Sequence, residues 1–135
     1  MAARLIPNTD ITIYNKYIED RTEKYQRTVI PDVVWQATDA ISRAKEQVAA
    51  NSALIMIPFA RGAAYQKPKA WKTDRVGWTL QEGDTVVRGE VTKEITGLYS
   101  LSDLRSEYDD VLMIFSIAAM DHGSANVQHW EVNCK

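Results

Sequence analysis

Short runs of β-branched and aromatic residues, each closed by a turn signal, constrain this chain more than any other feature. In Asp10 to Tyr17 (DITIYNKY), Ile11 and Ile13 alternate with Thr12 and Tyr14, the period-two pattern of a strand with one buried face. Glu19, Asp20 and Arg21 make a polar turn, and Tyr25 to Ile30 starts a second strand. Pro31-Asp32 interrupts it before Val33-Val34-Trp35 continues; a proline that cannot donate to a ladder suits an edge or a bulge. Ala53 to Ile57 reads as a buried strand stopped by Pro58. Gly77 to Leu80, Thr85 to Val91, Val111 to Ala119 and Val127 to Val132 complete the set, with tight turns at Glu82-Gly83-Asp84 and Asp121 to Asn126.

Helical signals are few. Ser102 to Tyr108 is a short helix with Ser102 as its expected N-cap and Asp103 in the positive first turn. Ile41 to Ala50 places Ile41, Ala44, Val48 and Ala49 at helical spacing, but a polar loop fits nearly as well. From Phe59 to Val76 no period holds, and the segment reads as a long connection of the kind that carries function more often than not. The expectation is therefore a mainly β domain spanning residues 1–135: a small barrel or sandwich of about six to eight strands, with one or two short helices and a long loop. Its expected core is Ile11, Ile13, Val34, Leu54, Met56, Val86, Leu112, Ile114 and Trp130.

Composition narrows the function. A formal net charge of −2 is not that of a dedicated nucleic-acid binder, although it says nothing about local patches. Cys134 is the one cysteine, so neither an intrachain disulfide nor a thiolate zinc cage can form, which fits a reducing cytosol. Met1 to Pro7 has no apolar run suited to a signal peptide, and the longest apolar run, Val111 to Met120, is too short for a membrane span. No membrane association is expected.

Candidate chemistry stays incomplete. His122 and His129 flank a hairpin near Asp121 and Glu131, but two histidines supply at most part of a metal shell, and neither HExxH nor CxxC spacing occurs. Ser124 has no nucleophile elbow around it, and Cys134 has no neighbour that would lower its pKa. Glu107, Asp109 and Asp110 lack EF-hand spacing, and the scattered glycines form no phosphate loop. No catalytic residue, metal or cofactor is expected, and the chain reads as a structural protein rather than an enzyme.

Charge placement is more telling. Between Phe59 and Val76, Arg61, Lys67, Lys69, Lys72 and Arg75 oppose a single Asp74, and Tyr65 and Trp71 are interleaved with them. Such a segment can follow a phosphate backbone, stack on bases or anchor a protein interface; a merely solvated loop has the same composition. Glu82 to Asp110 has the reverse balance, a net −5, with Glu82, Asp84, Glu90, Glu107, Asp109 and Asp110 as a candidate acidic contact surface. Separate basic and acidic surfaces suit head-to-tail contacts that close into rings, unless folding joins them within one subunit.

The motif order resembles a known family. ITIYNKY, Val34-Trp35, ALIMIP (Ala53 to Pro58), GWTLQEGDTVVRGEV (Gly77 to Val91), SLSDLRSEYDD (Ser100 to Asp110) and the closing DHGSANVQHWEV (Asp121 to Val132) look like the small minor capsid proteins of tailed phages of Gram-positive bacteria. These are similar to the head-completion or stopper subunits that sit as a ring below the portal. The resemblance implies a small β-barrel in the neck of a virion assembled in the host cytoplasm. Its implied partners are copies of itself, the portal or adaptor and the tail proteins, with non-specific contact to packaged DNA through the 59–76 loop. A tail-terminator or other minor capsid component, or a small nucleic-acid-binding β-barrel, are the alternatives.

Overall fold

The structure is a computed structural model, and it describes residues 6–37 and 52–135. The expected Ile41 to Ala50 helix or loop lies outside the described residues. Six antiparallel strands close into a barrel. They are β1 (Thr9–Glu19), β2 (Thr22–Ala37), β3 (Ala53–Pro58), β4 (Thr85–Arg88), β5 (Val111–Met120) and β6 (His129–Cys134). The strand order is β1-β2-β3-β6-β5-β4, with β4 returning to β1.

The β1–β2 hairpin turns through Asp20 and Arg21, both at positive φ (54° and 64°), the mirror-image geometry that matches strand twist in two-residue loops. The break foreseen at Pro31-Asp32 is a bulge. Thr9 pairs with Val33 but Ile11 pairs with Ile30, so β2 carries one extra residue. Asp32 sits at φ 55°, its N–H donating to the Asp10 carboxylate at 3.1 Å, and Pro31 has no donor to leave unpaired. The bend carries β2 from β1 across to β3.

That bulge also sets which residues face inward. Ile30, Val33 and Trp35 are buried, so Val34 turns outward, contrary to expectation. On β3 the buried row is Ala53, Ile55 and Ile57, not Leu54 and Met56, which are half-buried on the outer face. Both rows of ALIMIP are apolar, so sequence alternation could not choose the phase. Ile11, Ile13, Val86, Leu112 and Ile114 are buried as expected. Trp130 is half-buried: it stacks at the barrel mouth with Phe59, Tyr65 and Trp78, at centroid distances of 4.6, 4.5 and 5.8 Å.

Several expected boundaries shift. The segment expected as a strand from Gly77 to Leu80 forms only a bridge between Trp78 and Tyr65, yet Trp78, Thr79 and Leu80 are buried. The Asn15 carboxamide substitutes for a ladder there, accepting from Thr79 N at 3.2 Å and donating to Thr79 O at 2.8 Å. β4 ends at Arg88 because Gly89 turns to φ 92°, and β6 begins at His129.

Among the described residues two seven-residue helices pack beside these strands, α1 (Pro68–Asp74) and α2 (Leu101–Glu107). The N-cap of α2 is Ser100, not Ser102. Ser100 Oγ accepts from Asp103 N and the Asp103 carboxylate accepts from Ser100 N, a reciprocal box that satisfies two otherwise unpaired amides. α2 covers a second core outside the barrel, in which Leu104 packs with Tyr14, Val87 and Val91.

Candidate functional site

The segment from Phe59 to Val76 is ordered, not a free loop. It forms a 3-10 turn (Phe59–Arg61), then α1, which starts on Pro68, a residue pre-set for the first helical turn. Trp71 is fully buried; its ring meets Tyr17 edge-on at 6.0 Å and its Nε1 donates to Gly77 O at 3.2 Å. Arg75 takes the left-handed conformation that ends α1, places its guanidinium 4.5 Å over the Tyr17 ring and pairs with Glu19 at 3.2 Å. Tyr65 packs against Trp78 at 5.2 Å and Trp130 at 4.5 Å, and burial pushes its hydroxyl pKa up.

Trp71, Tyr65 and Arg75 therefore anchor the segment rather than reach for a partner. Arg61, Lys67, Lys69 and Lys72 are exposed. Among the described residues, Lys67, Lys69 and Lys72 make no salt bridge.

The acidic set divides. Asp84 is buried, so it is no contact residue. Its carboxylate accepts from Asn15 Nδ2 (2.8 Å), Lys16 N (3.1 Å) and Gln81 Nε2 (2.9 Å). Burial raises its pKa, opposed by the hydrogen bonds from Gln81, Asn15 and Lys16. Glu82 is exposed on the lip of a cleft of about 420 Å³ that it shares with Asp84, Lys72, Arg75, Lys16 and Ile18. Folding thus brings these two acids to the basic side. Glu90 is exposed after β4, and Glu107, Asp109 and Asp110 are exposed at the end of α2 and just beyond it, with Glu107 accepting from the Tyr99 hydroxyl.

Strand alternation separates the two charged elements. Tyr17, against which α1 packs, and Tyr14, which lies in the core under α2, are an odd number of residues apart on β1. Their side chains leave opposite faces of the strand. The lysines of α1 and the acids of α2 therefore flank the β1–β2 hairpin from opposite sides.

The histidines do not combine into a site. His129 Nδ1 meets Val127 O at 2.6 Å and its Nε2 meets Glu131 at 3.2 Å, whereas His122 is exposed beside Asp121 at 3.6 Å. Among the described residues no group of three or more His, Cys, Asp or Glu could hold a metal ion. Cys134 is buried and its thiol is pushed up to about 12 by desolvation.

Sequence reading did not find Asn15, Lys16, Tyr17 and Gln81, which hold the cleft together. One signal was present: Asn15 is polar in the row that begins with Ile11 and Ile13, where a buried amide must find partners.

These features define a small closed antiparallel β-barrel with a helix on each side of its longest hairpin. The chain belongs to DUF6751, a family of unknown function, whose model matches residues 6–135. No curated protein and no solved structure matches it. No helix among the described residues is long and apolar enough to cross a membrane.

Proposed function

We propose that this chain is a structural subunit of a tailed-phage neck, a ring-forming adaptor or stopper between portal and tail that helps retain packaged DNA. The observation that carries the reading is the opposed display of charge: α1 and its N-cap present Lys67, Lys69 and Lys72 on one side of the β1–β2 hairpin, and the end of α2 presents Glu107, Asp109 and Asp110 on the other. Complementary patches on opposite sides of one subunit generate heterologous contacts, and these close into a ring when the rotation permits. Both displays rest on buried anchors, Trp71 and Leu104, so neither patch has to be ordered at the moment of assembly. The phage assignment comes from the motif order, from ITIYNKY through HWEV.

The experiment is a density map of an assembled particle encoding this chain. A ring at the portal–tail junction with α1 against the neighbouring α2 supports the proposal; a resolved neck that lacks the chain ends it.

The exposed lysines of α1 also favour a second reading, a small barrel that binds nucleic acid by itself. That reading requires salt-sensitive DNA binding by the free monomer, with a slope that falls by about one for each of Lys67, Lys69 and Lys72 changed to alanine. Binding that is indifferent to salt or to these substitutions removes it.

A further inference from the structure

β1 runs beyond its neighbour in the barrel. β4 pairs with β1 only from Ile11 to Tyr14, so among the described residues the edge of β1 from Asn15 onward faces no strand on that side. The two-residue turn makes Glu19 and Thr22 a hydrogen-bonded pair, and alternation then points the backbone groups of Tyr17 and Asn15 toward β2. Those of Lys16 and Ile18 point the other way.

Lys16 confirms this parity. Its N–H donates to Asp84 Oδ1 at 3.1 Å and its carbonyl accepts from Gln81 Nε2 at 3.2 Å, so two side chains occupy the place of the next strand. At Ile18 this substitution stops. No bond to its N–H or carbonyl exists on that side among the described residues, its side chain is 69% exposed, and it lines the cleft with Lys72, Arg75 and Glu82.

We propose that this cleft is a strand-addition groove for an extended acidic segment of a partner protein. The Ile18 N–H and carbonyl give main-chain pairing, Ile18 gives an apolar contact, and the Asp84–Gln81 clamp ends the added strand. Lys72, exposed and without an ion pair among the described residues, selects an acid, whereas Arg75 is already engaged by Glu19. Glu82, on the same cleft, fixes the orientation by repelling an acid at its own position. Such a groove would serve a neck subunit and a free-standing barrel alike.

The test uses the full chain labelled with ¹⁵N and two short synthetic peptides that alternate valine with threonine, one bearing glutamates and the other lysines at the same positions. The glutamate peptide shifts the Ile18 amide and slows its hydrogen exchange, which is fast in the free protein. Lys72→Glu, an exposed change, weakens that peptide by about fivefold, the limit of a surface ion pair. Ile18→Pro removes a donor that the hairpin does not use, so the fold is kept and binding is lost. An Ile18 amide already protected in the dilute free protein, no shift at millimolar peptide, or equal binding of the lysine peptide overturns the proposal. A concentration-dependent dimer that protects Ile18 overturns it in favour of a second copy.

Discussion

Replacing Trp71 with alanine removes the buried side chain of α1 and tests whether the basic segment is a displayed helix or a free loop. A buried tryptophan covers roughly 150–250 Å², worth about 4–6 kcal/mol at 25 cal/mol per Å². Truncations of this kind cost about 3–5 kcal/mol once the site partly collapses. The edge contact with Tyr17 at 6.0 Å goes too, and Arg75 loses the helix end that places it over the same ring. The expected loss is about 3–5 kcal/mol by urea denaturation, or roughly 10–20 °C in Tm for a domain of this size. Hydrogen exchange across Pro68–Asp74 should accelerate most, because Trp71 is the one side chain that the helix buries. Trp71→Phe separates packing from hydrogen bonding. It keeps a ring but loses the Nε1 donor to Gly77 O, which still accepts from Gln26, so the cost falls to about 1–2 kcal/mol. A Trp71→Ala loss under about 1 kcal/mol with unchanged exchange in the helix would refute the anchored-helix account.

Other consequences follow from named contacts. Asp84→Asn should destabilise by about 1–3 kcal/mol, because an amide cannot accept at both oxygens from Asn15, Gln81 and Lys16 N. Since burial raises the Asp84 pKa, the native state holds its proton more tightly than the unfolded chain, and Asp84's contribution is greatest below the ordinary aspartate range and declines as pH rises through the raised value. Denaturation at a series of pH values should show the wild-type advantage over Asp84→Asn shrinking across that window; an advantage that grows with pH contradicts it. Gly62→Ala would place a Cβ 2.6 Å from the Trp130 ring, so a loss of about 1–3 kcal/mol in thermal melts is expected, with a changed tryptophan fluorescence. Cys134, buried and pushed up to about 12, should resist thiol reagents at pH 8 in the native protein and react at once in denaturant.

A small barrel or sandwich was legible in the sequence because turn residues separate its strands and the inner row of β1 begins with a clear alternation, Ile11 and Ile13 against Thr12 and Tyr14. The phase of β3 was not, since Leu54 and Met56 are as apolar as Ile55 and Ile57, and only pairing with β2 and β6 decides between them. The short helix α1 was invisible for a related reason: seven residues with one buried side chain contain no period to detect. The cap of α2 was misplaced by one candidate serine, although the Ser100–Asp103 spacing of the reciprocal box was there to be read.

At the site, the exposed lysines and the acids of the α2 region were legible as charge runs. Burial was not. Asp84, Trp71 and Tyr65 look like surface residues in a charged segment, but partners distant in sequence, Asn15, Tyr17 and Trp130, take them inward.

The most direct test of the proposed neck role is a map of an assembled particle at a resolution that shows side chains. The account predicts a ring below the portal in which Lys67, Lys69 and Lys72 of one subunit face Glu107, Asp109 and Asp110 of the next. A neck fully built from other chains, or a ring in which α1 and α2 both face solvent, would contradict it.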